Sequence, residues 1–380
     1  MDTMKRNLQK HILEDLPKKI VLISGPRQTG KTTISKQLCD QFDYFNYDSG
    51  EDRLAIRQKR WDRSKLLIIF DELHKMKQWK RWLKGVFDTE GIPPQILVTG
   101  SAKLDIHKRV GDSLAGRYFQ YRLHPLDLKE IHQFLNVKIE DGFNTLWHCS
   151  GFPEPFLEGS RTYYRRWRRS HIDIILRQDL IDLSSVRDIE SVQTLVLLLS
   201  QRTGSTVSYA NLARDLDRDP NTIKRWLQLL ENLYIIYRVT PYSKNVARSL
   251  KKEPKFYFYD HALIEDEGAR LENIVANALK KELHFLEDTQ GIKGALHYLR
   301  TKDGQELDFL VTLDGVPTHL IEVKMGDDKP AYGFRHFSKL FPDAMHFQVV
   351  KNLLRDTSLP NGLFIKQVIP WLAELSLLTK

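Results

Sequence analysis

Ile20-Val21-Leu22-Ile23-Ser24-Gly25-Pro26-Arg27-Gln28-Thr29-Gly30-Lys31-Thr32-Thr33 is the stretch that decides how the rest of the chain is read. Four consecutive apolar residues, a polar loop and then a helix-compatible run make the pattern of a buried parallel strand turning into a helix. The loop fits G-x-x-x-x-G-K-[ST], and the strand before it and the helix after it are the contexts that give the pattern meaning. Gly25 and Gly30 let backbone N–H groups close around phosphate oxygens, with Pro26, Arg27, Gln28 and Thr29 completing the loop. Lys31 is expected to reach the β and γ oxygens of ATP, and the Thr32 hydroxyl to ligate Mg²⁺. The expected nucleotide-binding set therefore runs through Thr33. An ordinary glycine turn is the competing reading, and agreement of strand, loop and helix argues against it.

Outward from the loop, Leu66-Leu67-Ile68-Ile69-Phe70 is a second buried run, ending at Asp71-Glu72. Asp71 is expected to hold Mg²⁺ through water, and Glu72 to orient and deprotonate the attacking water. A third run, Ile96-Leu97-Val98, ends at Thr99-Gly100-Ser101, where Ser101 or Thr99 would sense the γ-phosphate. With a fourth run over 118–123, residues 1–150 read as a parallel sheet wrapped by helices.

This order of phosphate loop, Asp-Glu strand end and polar sensor strand, followed by Leu114-Ala115-Gly116-Arg117, resembles AAA+ ATPases. The resemblance implies that Arg117 enters a neighbouring subunit's site, hence a homo-oligomer, a hexamer in that family. It offers Arg177 as a candidate for the lid arginine.

Lys and Arg (58) exceed Asp and Glu (49), for a net charge of +9 and a pI near 9.2. The excess is concentrated in residues 160–260, which hold 18 basic and 11 acidic residues. Such a balance suits a phosphate-rich partner or solubility. Two cysteines, Cys39 and Cys149, form neither a disulfide framework nor a four-cysteine zinc site, which fits a reducing cytoplasm. Residues 1–19 are charged throughout, unlike a signal peptide, and the apolar runs are strand-length, so the expectation is a soluble chain with no membrane span.

The pattern breaks at Gly151-Phe152-Pro153-Glu154-Pro155, and residues 151–202 read as a helical lid. Within it, Arg161-Thr162-Tyr163-Tyr164-Arg165-Arg166-Trp167-Arg168-Arg169 interleaves guanidinium groups with aromatic rings, either to bind and stack on nucleic acid or as an amphipathic helix with buried rings. Residues 203–262 read as a winged helix, with Ile223, Leu227 and Leu230 facing the core and Asn221, Lys224, Arg225 and Gln228 outward. Nucleic acid, DNA in preference to RNA, is the expected partner.

Residues 263–380 read as a separate α/β unit. Asp308 and Glu322 flank a hairpin turn at Asp314-Gly315; pairing them centres the hairpin on Gly315, which makes the two carboxylates neighbours and places Lys324 on the face of Glu322. Two acids can hold Mg²⁺ or Mn²⁺ at a scissile phosphate while the lysine assists the attack. The arrangement resembles the PD-(D/E)xK restriction-endonuclease-like fold, which implies Glu272 as a further metal ligand. Over nearly its whole length the chain resembles a prokaryotic family that fuses an AAA+ ATPase, a winged helix and such a C-terminal domain. The expected activity is ATP hydrolysis controlling a nuclease or DNA-end-binding domain; the alternative is a nucleotide-dependent switch with an inactive endonuclease fold.

Overall fold

The computed structural model describes residues 4–101, 114–179, 188–243, 252–327 and 329–378. Two compact units are present, Met1–Pro125 and Leu126–Lys380. Residues 126–150 are thus grouped with the second unit, where Lys281 pairs with Asp127 and Glu130, and Lys129 with Glu282.

The first unit carries β1 (Ile20–Ser24), β2 (Phe42–Asn46), β3 (Leu67–Asp71), β4 (Gln95–Gly100) and β5 (Tyr118–Arg122). They form a sheet in the order β2-β3-β4-β1-β5, every pairing parallel. The runs without polar interruption, β1 and β3, are buried along their whole length, because helices cover both faces of a parallel sheet. Ile20, Leu22, Ile68, Phe70, Ile96 and Val98 alternate along their strands and share one core with Trp61, Leu83 and Val86. Register pairs Ser24 with Gly100 and Asp71 with Thr99, so the phosphate loop, the acids and the sensor strand leave the sheet at one edge. Ligands of open α/β sheets bind outside such carboxyl ends.

In the second unit, the helices Tyr209–Asp215 and Pro220–Asn232 form the expected pair. Asp219 caps the second helix by accepting the Asn221 N–H, and Pro220 fits its first turn. Ile223, Leu227 and Leu230 are buried with Trp226, whereas Asn221, Lys224, Arg225 and Gln228 are exposed. A hairpin of β6 (Ile236–Pro241) and β7 (Lys255–Phe258) follows. Residues after 262 do not build a sheet of their own. Thr240 and Pro241 of β6 pair in parallel with His297 and Tyr298 of β8 (Gly294–Arg300). The sheet then continues through β9 (Glu306–Leu313), β10 (Val316–Lys324), β11 (Met345–Val350), β12 (Thr357–Ser358) and β13 (Leu363–Gln367), in the order β12-β13-β11-β10-β9-β8-β6-β7. An exposed strand edge is a liability, and joining the hairpin to β8 covers two at once.

The helix Arg161–Ile174 realises the amphipathic reading of the arginine-rich stretch. Tyr164, Trp167 and His171 are buried, with Trp167 and His171 stacked and both rings against Phe152. Those rings are therefore unavailable to nucleic-acid bases, while Arg165, Arg166 and Arg169 remain exposed.

β7 ends the sheet, and the fully buried Asn273 on the helix Glu267–Gln290 covers it: its Nδ2 donates to Phe258 O and its Oδ1 accepts the Phe258 N–H, both at 2.8 Å. Asn273→Leu strands two backbone groups and should destabilise the fold by about 2 to 4 kcal/mol. A wild-type urea midpoint in that variant would remove Asn273 as the tie between helix and sheet.

Candidate functional site

The phosphate loop is shaped by Leu123, the residue that follows β5. A Cβ on Gly25, where φ is 152°, would stand 2.2 Å from the Leu123 carbonyl oxygen, so no other residue fits. Gly30 sits at φ 90° and Gln28 at φ 60°, both in the left-handed region that turns the chain into the helix Lys31–Lys36. The buried Lys31 ammonium donates to the carbonyls of Gly25 at 3.0 Å and Pro26 at 2.7 Å. Thr29 closes the loop through its hydroxyl onto Pro26 O at 2.9 Å. From the N-terminal segment, buried Arg6 donates to Thr29 O at 2.9 Å and His124 O at 2.6 Å, a brace the motif gives no hint of. Arg27 is half-buried, and Gln28 and Thr33 are exposed.

Asp71 is where the strands meet. Its Oδ2 accepts the Thr32 and Tyr44 hydroxyls, each at 2.8 Å, and its Oδ1 accepts the Thr99 hydroxyl. Burial and the Asp71 charge together push the Tyr44 phenol well up, so it stays a donor. The Thr32 hydroxyl and the Asp71 carboxylate are oxygen donors of the kind that Mg²⁺ takes, so this pair fits that ion. Glu72 follows in a left-handed conformation at φ 54°, a backbone strain of the kind kept at functional positions. Ser101 donates to its Oε2 at 3.2 Å. Burial raises the Glu72 pKa, with Lys31 opposing, which favours a group that accepts a proton.

Arg117 stands just before β5, beside Ile20, so it lies at the end of the sheet opposite the phosphate loop. Its guanidinium grips Asp88, with Nε at 2.7 Å and Nη2 at 3.2 Å. Arg177 is exposed in the turn Ile175–Asp179.

At the second acidic cluster, Phe309 pairs with Ile321 and Leu310 with Leu320, the register that sets Asp308 opposite Glu322. The Asp308 N–H donates to Glu322 Oε2 at 3.3 Å, the Val323 N–H to Asp308 Oδ2 at 2.9 Å, and Lys324 to Glu322 Oε1 at 2.6 Å. Glu272 is held differently: its Oε1 accepts the Tyr257 hydroxyl at 2.6 Å and faces Lys255 Nζ at 3.5 Å. Lys255, only 1% exposed, also pairs with Glu306 at 2.5 Å. Sequence reasoning missed it because a lysine in an apolar strand, Lys255-Phe256-Tyr257-Phe258, reads as a strand end. Burial, then the Asp308 charge, raises both Glu272 and Glu322; burial raises Asp308, against Lys255. Among the described residues no group of three His, Cys, Asp or Glu side chains is arranged to hold a metal ion.

Family models match three successive segments of the chain. Residues 17–132 match an AAA domain, 140–267 a domain of unknown function (DUF8612) and 267–371 another (DUF4143). An uncharacterized protein of Mycobacterium tuberculosis is 28% identical over 309 residues, covering 78% of this chain and 68% of that one. Uncharacterized proteins of Methanocaldococcus jannaschii, 25% identical over 78% of this chain and 73% of the relative, and of Haemophilus influenzae, 25% identical over 67% and 73%, are similar too. Among solved structures, a signal transduction ATPase with numerous domains from Pyrococcus horikoshii is matched with a TM-score of 0.24 at 14% identity, over 76% of this chain and 48% of that one. PCH-2 of C. elegans is matched with a TM-score of 0.25 at 13% identity, over 59% and 70%. The chain carries an AAA domain followed by a DUF4143 domain, as a mixed α/β structure. Among the described residues no helix is long and apolar enough to cross a membrane.

A carboxyl group raised in the folded state binds its proton more tightly there than when unfolded. Its stabilising contribution is therefore complete below the ordinary carboxylate range near about 4 and is lost as pH rises through the folded value. Glu322→Gln should accordingly flatten the decline of stability with pH relative to wild type, measured as urea midpoints from about pH 5 to about pH 8.5. Parallel profiles for the two proteins would show that Glu322 titrates normally.

Proposed function

We propose that this chain is an ATPase whose nucleotide state governs a nucleic-acid-associated second unit. The observation that carries the reading is the pairing, at one edge of a parallel sheet, of Thr32 with Asp71 and of Ser101 with Glu72 beside the phosphate loop. In this reading Lys31 exchanges its loop carbonyls for the β and γ oxygens of ATP. Mg²⁺, when bound, neutralises developing charge on the phosphates. Thr32 would be its direct ligand and Asp71 would hold it through water. Glu72 accepts the proton of the attacking water, and its raised pKa suits that task.

Oligomerisation, with Arg117 completing a neighbour's site, rests on the family resemblance and on that arginine standing too far along the sheet to serve its own loop. Binding of DNA is supported by the exposed Lys224 and Arg225 on the second helix of the pair and by exposed Arg165, Arg166 and Arg169. For the second unit, Asp308 and Glu322 are oxygen donors that suit Mg²⁺ or Mn²⁺, with Lys324 beside them for phosphodiester cleavage. A second reading of that unit, a binding module without cleavage, is favoured by Lys255, which already neutralises Glu272 and Glu306.

Two variants separate the roles in the ATP site. Lys31→Ala should weaken ATP binding, whereas Glu72→Gln should keep ATP bound and slow turnover about 100-fold or more. Hydrolysis at the wild-type rate by the Glu72→Gln protein would exclude Glu72 as the base.

A further inference from the structure

Three donors converge on a single oxygen of Glu72. Ser101 reaches Oε2 at 3.2 Å, His74 Nδ1 stands 3.6 Å from it and Lys75 Nζ 4.0 Å. Lys75 is already committed to Asp48 at 2.7 Å, while the buried Nδ1 of His74 has no hydrogen-bond partner among the described residues. The imidazole is 10% exposed, in the short turn Leu73–Lys75 that directly follows Glu72. A buried ring nitrogen without a partner is rare in a folded protein and calls for a reason. The Glu72 carboxylate lies less than 1 Å beyond the bonding range of about 2.9 Å.

We propose that His74 is a positioning residue for Glu72: with ATP bound, its Nδ1–H closes onto Oε2 and, with Ser101, turns Oε1 toward the attacking water. The inference rests on the ATPase reading above. As the water oxygen bonds to the γ-phosphorus, the bond from that phosphorus to the β–γ bridging oxygen breaks and ADP leaves with the electron pair. The proton of the water passes to Glu72 Oε1 and returns to solvent before the next turnover. A neutral donor is the right partner for such a base, because a cation on Oε2 would hold the carboxylate but also weaken its hold on a proton. Burial and the neighbouring Lys75 and Lys31 charges push the His74 imidazole down to about 4, so it stays neutral at physiological pH.

The test is steady-state ATP hydrolysis and fluorescent-nucleotide binding by the full chain, comparing wild type, His74→Leu and His74→Asn. Leucine fills the space without a donor, whereas the asparagine amide places an N–H close to where Nδ1 stood. His74→Leu should lose about 10- to 100-fold in kcat with KM and nucleotide affinity within about twofold, since misaligned reacting groups slow the chemical step alone. His74→Asn should recover most of that loss. Should the leucine variant not fold, His74→Ala replaces it under the same criteria. A donorless variant that turns over like wild type, or an asparagine variant as slow as the donorless one, overturns the inference. A wild-type chain that hydrolyses no ATP overturns instead the ATPase reading on which it rests.

Discussion

Three hydroxyl groups around one carboxylate organise the first unit. Asp71 ends β3, and the hydroxyls it accepts come from the helix after the phosphate loop, from β2 and from β4. A carboxylate placed there would be strongly disfavoured without hydrogen bonds, so its burial requires all three elements to be in register. That requirement fixes Thr32 in relation to the sheet, and through it the phosphate loop. Gly25 adds a steric limit from the other side, where the Leu123 carbonyl, just past β5, leaves room for a hydrogen and nothing larger.

The second unit meets the same electrostatic problem with different means. Asp308, Glu322, Glu272 and Glu306 are gathered by a hairpin and one helix, and a buried lysine from a neighbouring hairpin stands among them. Lys255 is tolerable at 1% exposure only because several acids surround it, and the acids in turn depend on it. The continuity of β6 with β8 brings that lysine to the cluster, so the extension of the sheet and the charge balance of the site are one feature.

Legibility followed sequence distance. The phosphate loop, the Asp71-Glu72 strand end and the helix pair at 209–232 are local patterns, and the burial of Ile223, Leu227 and Leu230 agrees with their spacing. The hairpin was readable too, since antiparallel partners have a constant sum and Asp314-Gly315 marks its turn; the observed register keeps that sum beside Asp308 and Glu322. Arg6, Tyr44 and Lys255 were not readable, because each acts across a gap that no local pattern spans. Arg6 bonds to residues 23 and 118 positions away. The arginine-rich stretch stayed open for a different reason: its composition admits exposed or buried rings, and only helical period with a core beneath Tyr164 and Trp167 decides.

The two acidic centres differ in what they leave available. Hydroxyl donors satisfy Asp71 without cancelling its charge, so the oxygen beside Thr32 retains its attraction for a divalent cation brought in by a nucleotide. An ammonium group does cancel charge. Lys255 removes from Glu272 and Glu306 much of the potential that would draw a cation, while Lys324 does the same for Glu322 at closer range. Any cation entering the second cluster must therefore compete with two ammonium groups already at salt-bridge distance, whereas one entering the first replaces only hydrogen bonds from neutral groups. On that ground the oxygens around Asp71 suit a divalent cation better than those of the second cluster do, independently of what chemistry the second unit performs.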